Sequence, residues 1–240
     1  MKRCLLSFFL LFWATLSNAG EVTVAVASNF LGTAEKLAVL FEAETEHRIV
    51  LSHGSTGQLF SQIDLGAPFD IYLAGDAERP ALLDKSGKAS ETRTFAFGRL
   101  WLVSKEPLTV ESAAEVLVGD TVALADPIVA PYGNAATRAM ERLDLDTATF
   151  RPVLVANVGQ VASVFATGNA DAAFVAEAQV AALNAPYALN LDGLVPDLRH
   201  DAALLARAAD NAAAQAFWIW LAGASATKII EASGYRLPAG

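Results

Sequence analysis

Residues Val22 to Phe41 read VTVAVASNFLGTAEKLAVLF, and this stretch decides the fold. Val22, Val24 and Val26 alternate with Thr23, Ala25 and Ala27 in a nearly continuous apolar run, the pattern of a strand covered on both faces. Ser28 and Asn29 end the run. Phe30, Ala34, Leu37 and Phe41 then recur at helical spacing, so the two small polar residues are expected to cap a helix through their side-chain oxygens. A strand, a tight turn and an exposed helix N-terminus follow one another. Free N–H groups and the positive end of the helix dipole at such a turn can hold a negative oxygen without a lysine or arginine.

The same arrangement repeats along the chain. RIVLS at Arg48 to Ser52 reads as a second strand, His53 to Gly57 as its turn, and Gln58 to Ile63 as a helix stopped by Gly66 and Pro68. FDIYL at Phe69 to Leu73 reads as a third strand, followed by a helix from Arg79 to Ser86. Strands alternating with helices at this spacing imply parallel βαβ units, whose ligands sit beyond the carboxyl ends of the strands. Phe95 to Ser104 is a long apolar strand broken by Gly98. It reads as a crossover into a second lobe, with a bulge inside one sheet as the alternative.

Beyond the crossover the alternation resumes. Strands are expected at Thr121 to Ala125, Val153 to Ala156 and Ala170 to Ala176. Helices are expected from Ala130 to Leu143, from Asn157 to Thr167 and from Glu177 to Leu183. Asn184 to Asp197 reads as loop, His200 to Arg207 as a returning strand, and Ala212 to Leu221 and Ala226 to Ala232 as closing helices. Trp218 and Trp220 lie at helical spacing and are expected to pack.

The N-terminus, MKRCLLSFFLLFWATLSNA, has Lys2 and Arg3, an apolar run from Leu5 to Leu16, and Ser17-Asn18-Ala19 in the small-x-small pattern of a cleavage site. Residues 1–19 are therefore expected to be a removed secretory signal that takes Cys4, the only cysteine, with it; the apolar run is short for a membrane span. The whole chain carries a formal charge of −9. Removal of Lys2 and Arg3 leaves 15 basic against 26 acidic residues, a net charge of −11. So acidic a chain argues against nucleic acid and anionic membranes as partners.

The residues at the strand-to-helix turns are Ser28, Asn29, Ser55, Thr56, Tyr132 and Val158, all neutral donors, with Val158 restricted to its backbone N–H. This set suits a fully ionised tetrahedral oxyanion. It disfavours phosphate, which carries a proton near neutral pH and needs an acceptor. Asp76 and Asp126 are the residues that could supply one. His47, His53 and His200 lack metal-ligand spacing and are expected on the surface or at caps.

With these turns in place, the sequence resembles the periplasmic molybdate-binding proteins of ABC transporters, a family whose members also bind tungstate. The likeness rests on ASNFLGT at Ala27 to Thr33, GSTGQL at Gly54 to Leu59, IDLGAPFDIYLAGD at Ile63 to Asp76 and APYG at Ala130 to Gly133. It continues through NVGQ at Asn157 to Gln160, ATGNADAAFVA at Ala166 to Ala176 and SGYRLP at Ser233 to Pro238. The resemblance implies a two-lobed α/β Venus-flytrap fold of type II, each lobe a mostly parallel sheet flanked by helices.

Lobe I is expected to comprise residues 20–98 and 200–240, and lobe II residues 99–199, with the ligand between them. The ligand positions implied are Ser28, Asn29, Ser55, Thr56 and the Tyr132 and Val158 backbones, holding the metal of molybdate only through its oxygens. Thr56 stands where many members have serine. Ala176 stands where some have a donating tyrosine, and Asn29 is expected to take that part. The implied protein is a periplasmic monomer, not an enzyme and without a cofactor, that closes about Gly98 and His200 and delivers its anion to a permease with its ATPase. The alternatives are the same fold with sulfate, thiosulfate or phosphate, and more distantly a secreted hydrolase. The hydrolase lacks a G-x-S-x-G context, and an adhesive domain would not need the donor-rich turns.

Overall fold

The computed structural model describes residues 19–239, so the signal segment lies outside the described residues save for Ala19. In chain order the elements are β1 (Glu21–Ala27), α1 (Leu31–Glu44), β2 (Arg48–Gly54), α2 (Thr56–Asp64), β3 (Ile71–Leu73), α3 (Glu78–Lys85) and β4 (Ala89–Gly98). There follow β5 (Leu100–Ser104), α4 (Ala113–Val116), β6 (Thr121–Ala125), α5 (Pro131–Arg142), β7 (Arg151–Val155), α6 (Val158–Ala166), β8 (Ala172–Ala176) and α7 (Glu177–Leu183). The chain ends with β9 (Tyr187–Asn190), β10 (Leu198–Leu205), α8 (Ala212–Trp220) and α9 (Ala224–Ala232).

Two five-stranded sheets form, ordered β2-β1-β3-β10-β4 and β7-β6-β8-β5-β9. In the first, β1 pairs in parallel with β2 and β3, while β10 is antiparallel to both β3 and β4. In the second, β6 pairs in parallel with β7 and β8, while β5 is antiparallel to β8 and β9. Four strands of each sheet therefore share a direction and one runs against them. The result is a two-lobed α/β protein of the expected class. The chain passes from the first sheet to the second at Arg99, directly after Gly98, and returns between β9 and β10.

Val22, Val24, Ala25, Val26 and Ala27 are all buried, as a central strand with both faces covered requires. On one face of the first sheet α1, α8 and α9 pack Phe30, Leu37, Phe41, Phe217, Trp218 and Ile230 against the valines. The other face packs Leu59, Ile63, Tyr72 and Leu83 from α2, β3 and α3. The second sheet has a continuous core of its own around Leu102, Val122, Phe174, Met140 and Phe165. Gly66 and Gly168 close α2 and α6 with φ of 92° and 77°, the left-handed conformation in which glycine carries no Cβ penalty.

Two local expectations change. The loop read from Asn184 to Asp197 contains β9, which pairs antiparallel with β5 from Trp101 to Ser104. It is a short strand at the sheet edge, half exposed, so the continuous apolar signal of a buried strand is missing there. The strand read from Phe95 starts at Ala89: Ser90 to Thr94 are exposed or half-buried polar residues opposite β10 that carry neither an apolar run nor an alternation.

Candidate functional site

The carboxyl ends of β1, β2, β6 and β7 all deliver the chain to helix N-termini, and these ends meet between the lobes. There they enclose a small cavity, about 10 Å³, lined by Ser28, Asn29, Ser55, Thr56, Ala130, Pro131, Tyr132, Asn157 and Val158. All six sequence-predicted positions line it, four turns converging from both lobes. None of the nine lining residues is charged. Larger clefts open on either side, one lined by Asp76, Arg79, Arg138 and Arg199 and the other by Leu31, Val39, Ala162 and Leu183. They share Ala130 and Pro131, and Ser28 and Asn29, respectively, with the inner cavity.

Each turn is held by a different device. Ser55 is the N-cap of α2, its Oγ accepting from Gln58 N at 3.3 Å, which leaves its own O–H free to donate. Thr56 Oγ1 accepts from Gly75 N at 3.1 Å, and its hydroxyl hydrogen is likewise free. Tyr72 Oη donates to Thr56 O at 2.7 Å and pins this turn to β3. Asn157 caps α6 by accepting from Gln160 N at 3.0 Å, which puts Val158 N in the first turn without an acceptor in its helix. Pro131 opens α5 and Tyr132 follows it, so Tyr132 N is also free of helical partners. Ser28 Oγ accepts from Gly159 N at 3.3 Å, across to the other lobe.

Ser28 and Asn29 do not cap α1 as expected. They lie in a 3-10 turn, Ser28–Phe30, and neither side chain bonds to the helix start. Asn29 is committed elsewhere. His200 Nδ1 lies 2.7 Å from the Leu198 carbonyl, which can only accept, so Nδ1 carries the proton and Nε2 is an acceptor. Asn29 Nδ2 donates to that Nε2 at 2.7 Å and to Tyr235 Oη at 3.1 Å, while Tyr235 Oη donates to Asn29 O at 2.8 Å. Both amide hydrogens of Asn29 are taken up, which leaves its backbone N–H for a ligand. The expectation that its side chain replaces the tyrosine missing at Ala176 does not fit this bonding.

His200 corrects the expectation of a surface or capping histidine, since it is fully buried. Burial drives its pKa down to about 4 and keeps the ring neutral. Burial also pushes the Tyr132 phenol well above its ordinary value, and Tyr132 Oη is buried without a hydrogen-bond partner among the described residues. Tyr132, His200 and Tyr235 stack edge to face, with ring centroids 6.0 and 5.5 Å apart. An ideal Cβ at Gly98 would stand 2.2 Å from Tyr132 Oη and 2.7 Å from His200 Cε1. Sequence reasoning placed His200 at the hinge and on the surface or at a cap, and missed the part of Tyr235, for which the signal available was SGYRLP, whose tyrosine is this one.

Asp76 and Asp126 stay out of the cavity. Asp76 accepts from Arg79 N at 3.1 Å and pairs with the Arg79 guanidinium; burial raises its pKa against the pull of that arginine. Asp126 Oδ1 accepts from Ile128 N at 2.9 Å. Among the described residues no three His, Cys, Asp or Glu side chains gather to hold a bare metal ion. What the arrangement can do is surround an anion's oxygens with neutral donors.

A two-lobed α/β fold with a buried, donor-lined cavity between its sheets defines a ligand-binding protein that encloses a small solute. The chain belongs to the bacterial extracellular solute-binding protein family, whose model matches residues 22–236. It is 39% identical over 234 residues to the molybdate-binding protein ModA of Azotobacter vinelandii, with 93% of each chain covered. It is 38% identical to ModA of Rhodobacter capsulatus, covering 90% of this chain and 88% of that one. Among solved structures, the periplasmic molybdate-binding protein of Azotobacter vinelandii superposes with a TM-score of 0.82 at 36% identity, covering 91% of this chain and all of that one. No helix among the described residues is long and apolar enough to cross a membrane.

Proposed function

We propose that this protein captures molybdate or tungstate outside the cytoplasm and delivers it to an ABC permease driven by its ATPase. The observation that carries the reading is the convergence of six neutral donor positions on one cavity without a carboxylate or a cation. Similarity to two molybdate-binding proteins across nine-tenths of the chain supports the choice of anion.

In this reading Ser28, Ser55 and Thr56 donate hydroxyls, and Asn29, Tyr132 and Val158 donate backbone N–H groups. Residues 20–98 with 200–240 act as one lobe and 99–199 as the other. Residues 1–19 direct the chain to the periplasm and are removed, and the mature protein works as a monomer with the anion as cargo, without a cofactor. Hydrogen bonds to a charged group contribute roughly 1.5–3 kcal/mol each, and exclusion of water on closure strengthens them. A cavity of donors also rejects a protonated oxyanion, which needs an acceptor for its O–H.

The test is thermal unfolding of the mature protein against molybdate, tungstate, sulfate and phosphate at matched ionic strength. A ligand at a hundredfold excess over its dissociation constant stabilises by ~2.7 kcal/mol, a midpoint rise of roughly 5–11 °C for a chain of this size. Rises with molybdate and tungstate alone are expected. A rise with phosphate, or none with any of the four, refutes the reading.

A further inference from the structure

The two ligand segments of opposite lobes are also tied to each other outside the cavity. Gly57, one residue past Thr56, donates its N–H to Val129 O at 2.8 Å, and Val129 lies three residues before Tyr132. Arg79 Nη2 donates to the neighbouring Ile128 carbonyl at 3.1 Å. Its guanidinium is aimed there by Asp76, which also accepts from the Arg79 backbone N–H. The fit is close. An ideal Cβ on Gly57 would meet Val129 Cα and O at 3.0 Å and Arg79 Nη2 at 3.1 Å.

From this we propose that Arg79 is an affinity-determining residue that never touches the anion. Oriented by Asp76, it latches the Ile128–Val129 loop of one lobe onto the start of α2 in the other and so sets how long the anion is held. The inference rests on the oxyanion-capture reading and adds to it the residue that governs release. Arg79 lines the outer cleft together with Arg138 and Arg199, not the inner cavity. It can therefore act in two distinguishable ways. A cation at the mouth that draws in an anion raises the association rate and is screened by salt. A hydrogen bond made only on closure slows dissociation instead.

The experiment measures association and release of radiolabelled tungstate, the latter chased with unlabelled tungstate, in the mature protein, Arg79→Met, Arg79→Lys and Gly57→Ala. Arg79→Met is expected to speed release roughly tenfold, the loss of one partly exposed charge-assisted hydrogen bond, with association unchanged from low to high salt. Arg79→Lys is expected to recover part of the effect. Gly57→Ala is expected to speed release as well while α2 stays at least as stable, because alanine is the better helix former.

Slower association with unchanged release, or no change in either rate, overturns the latch. Should the parent bind neither molybdate nor tungstate, the functional reading fails by itself. The latch is then judged from hydrogen exchange at the Gly57 amide, which Arg79→Met accelerates if the latch exists and leaves alone if it does not.

Discussion

Tyr132→Phe is expected to make the protein more stable and leave its ligand affinity intact. The Tyr132 hydroxyl is buried and has no hydrogen-bond partner among the described residues, while the part assigned to Tyr132 in capture belongs to its backbone N–H. An unsatisfied buried hydroxyl costs about 1–3 kcal/mol of desolvation. Phenylalanine removes that cost and keeps the ring against His200 and Gly98. Taking about 2 kcal/mol and 2–4 °C per kcal/mol for a chain of this length gives a rise of roughly 4–8 °C. Denaturant and thermal unfolding without ligand read the stability, and tungstate titration reads the affinity. A destabilised Tyr132→Phe would mean that the hydroxyl has a partner, and a tenfold loss of affinity would mean that it reaches the anion. Either result refutes the reasoning.

Gly98→Ala should destabilise by about 1–3 kcal/mol, an overpacking cost, since its Cβ would stand 2.2 Å from Tyr132 Oη and 2.7 Å from His200 Cε1; combining it with Tyr132→Phe should return part of the loss in urea unfolding. His200 has its pKa lowered from 6.5 to about 4, so the unfolded chain binds the extra proton between those values. Its contribution is complete above pH 6.5 and is lost as the pH falls towards 4, about 3 kcal/mol over the window; His200→Gln should flatten that part of the stability-against-pH curve relative to the parent. Ser55→Ala removes the α2 cap and one hydroxyl donor together. It should lower stability by about 1 kcal/mol and weaken tungstate binding by roughly 10- to 150-fold, measured by unfolding and by titration.

How much could be read in advance depended on how local the cause was. The strand from Val22 and its helix declared themselves because a both-faces-buried strand and a 3.6-residue stripe need only neighbouring residues. The ligand turns followed, since each small polar pair stands where a strand hands over to a helix. What stayed hidden depends on long-range partners. His200 and Asn29 are 171 residues apart and Tyr235 and Asn29 are 206 apart, so no window of sequence contains their hydrogen bonds. Asn29 looked like a cap because asparagine is a good one, and tertiary bonding claimed its amide instead. β9 escaped because a half-exposed edge strand carries neither alternation nor an apolar run.

The position of β10 has a consequence for how the protein is made. Leu198–Leu205 is inserted between β3 and β4 in the middle of the first sheet, not added at its margin. A chain emerging N-terminus first therefore holds β1 to β4 for a long time without the strand that joins them. Until about four-fifths of the residues have appeared, β4 has no neighbour in its own sheet, and the buried valines of β1 lack the α8 and α9 helices that cover them. The topology works as a timer: contacts this distant in sequence form last and slowly, and the first sheet stays open until synthesis is nearly finished. A polypeptide that must be threaded through a narrow channel before it folds gains that interval from its strand order alone. Chains ending before Leu198 should remain protease-sensitive across β1–β4, and chains extended past α9 should not.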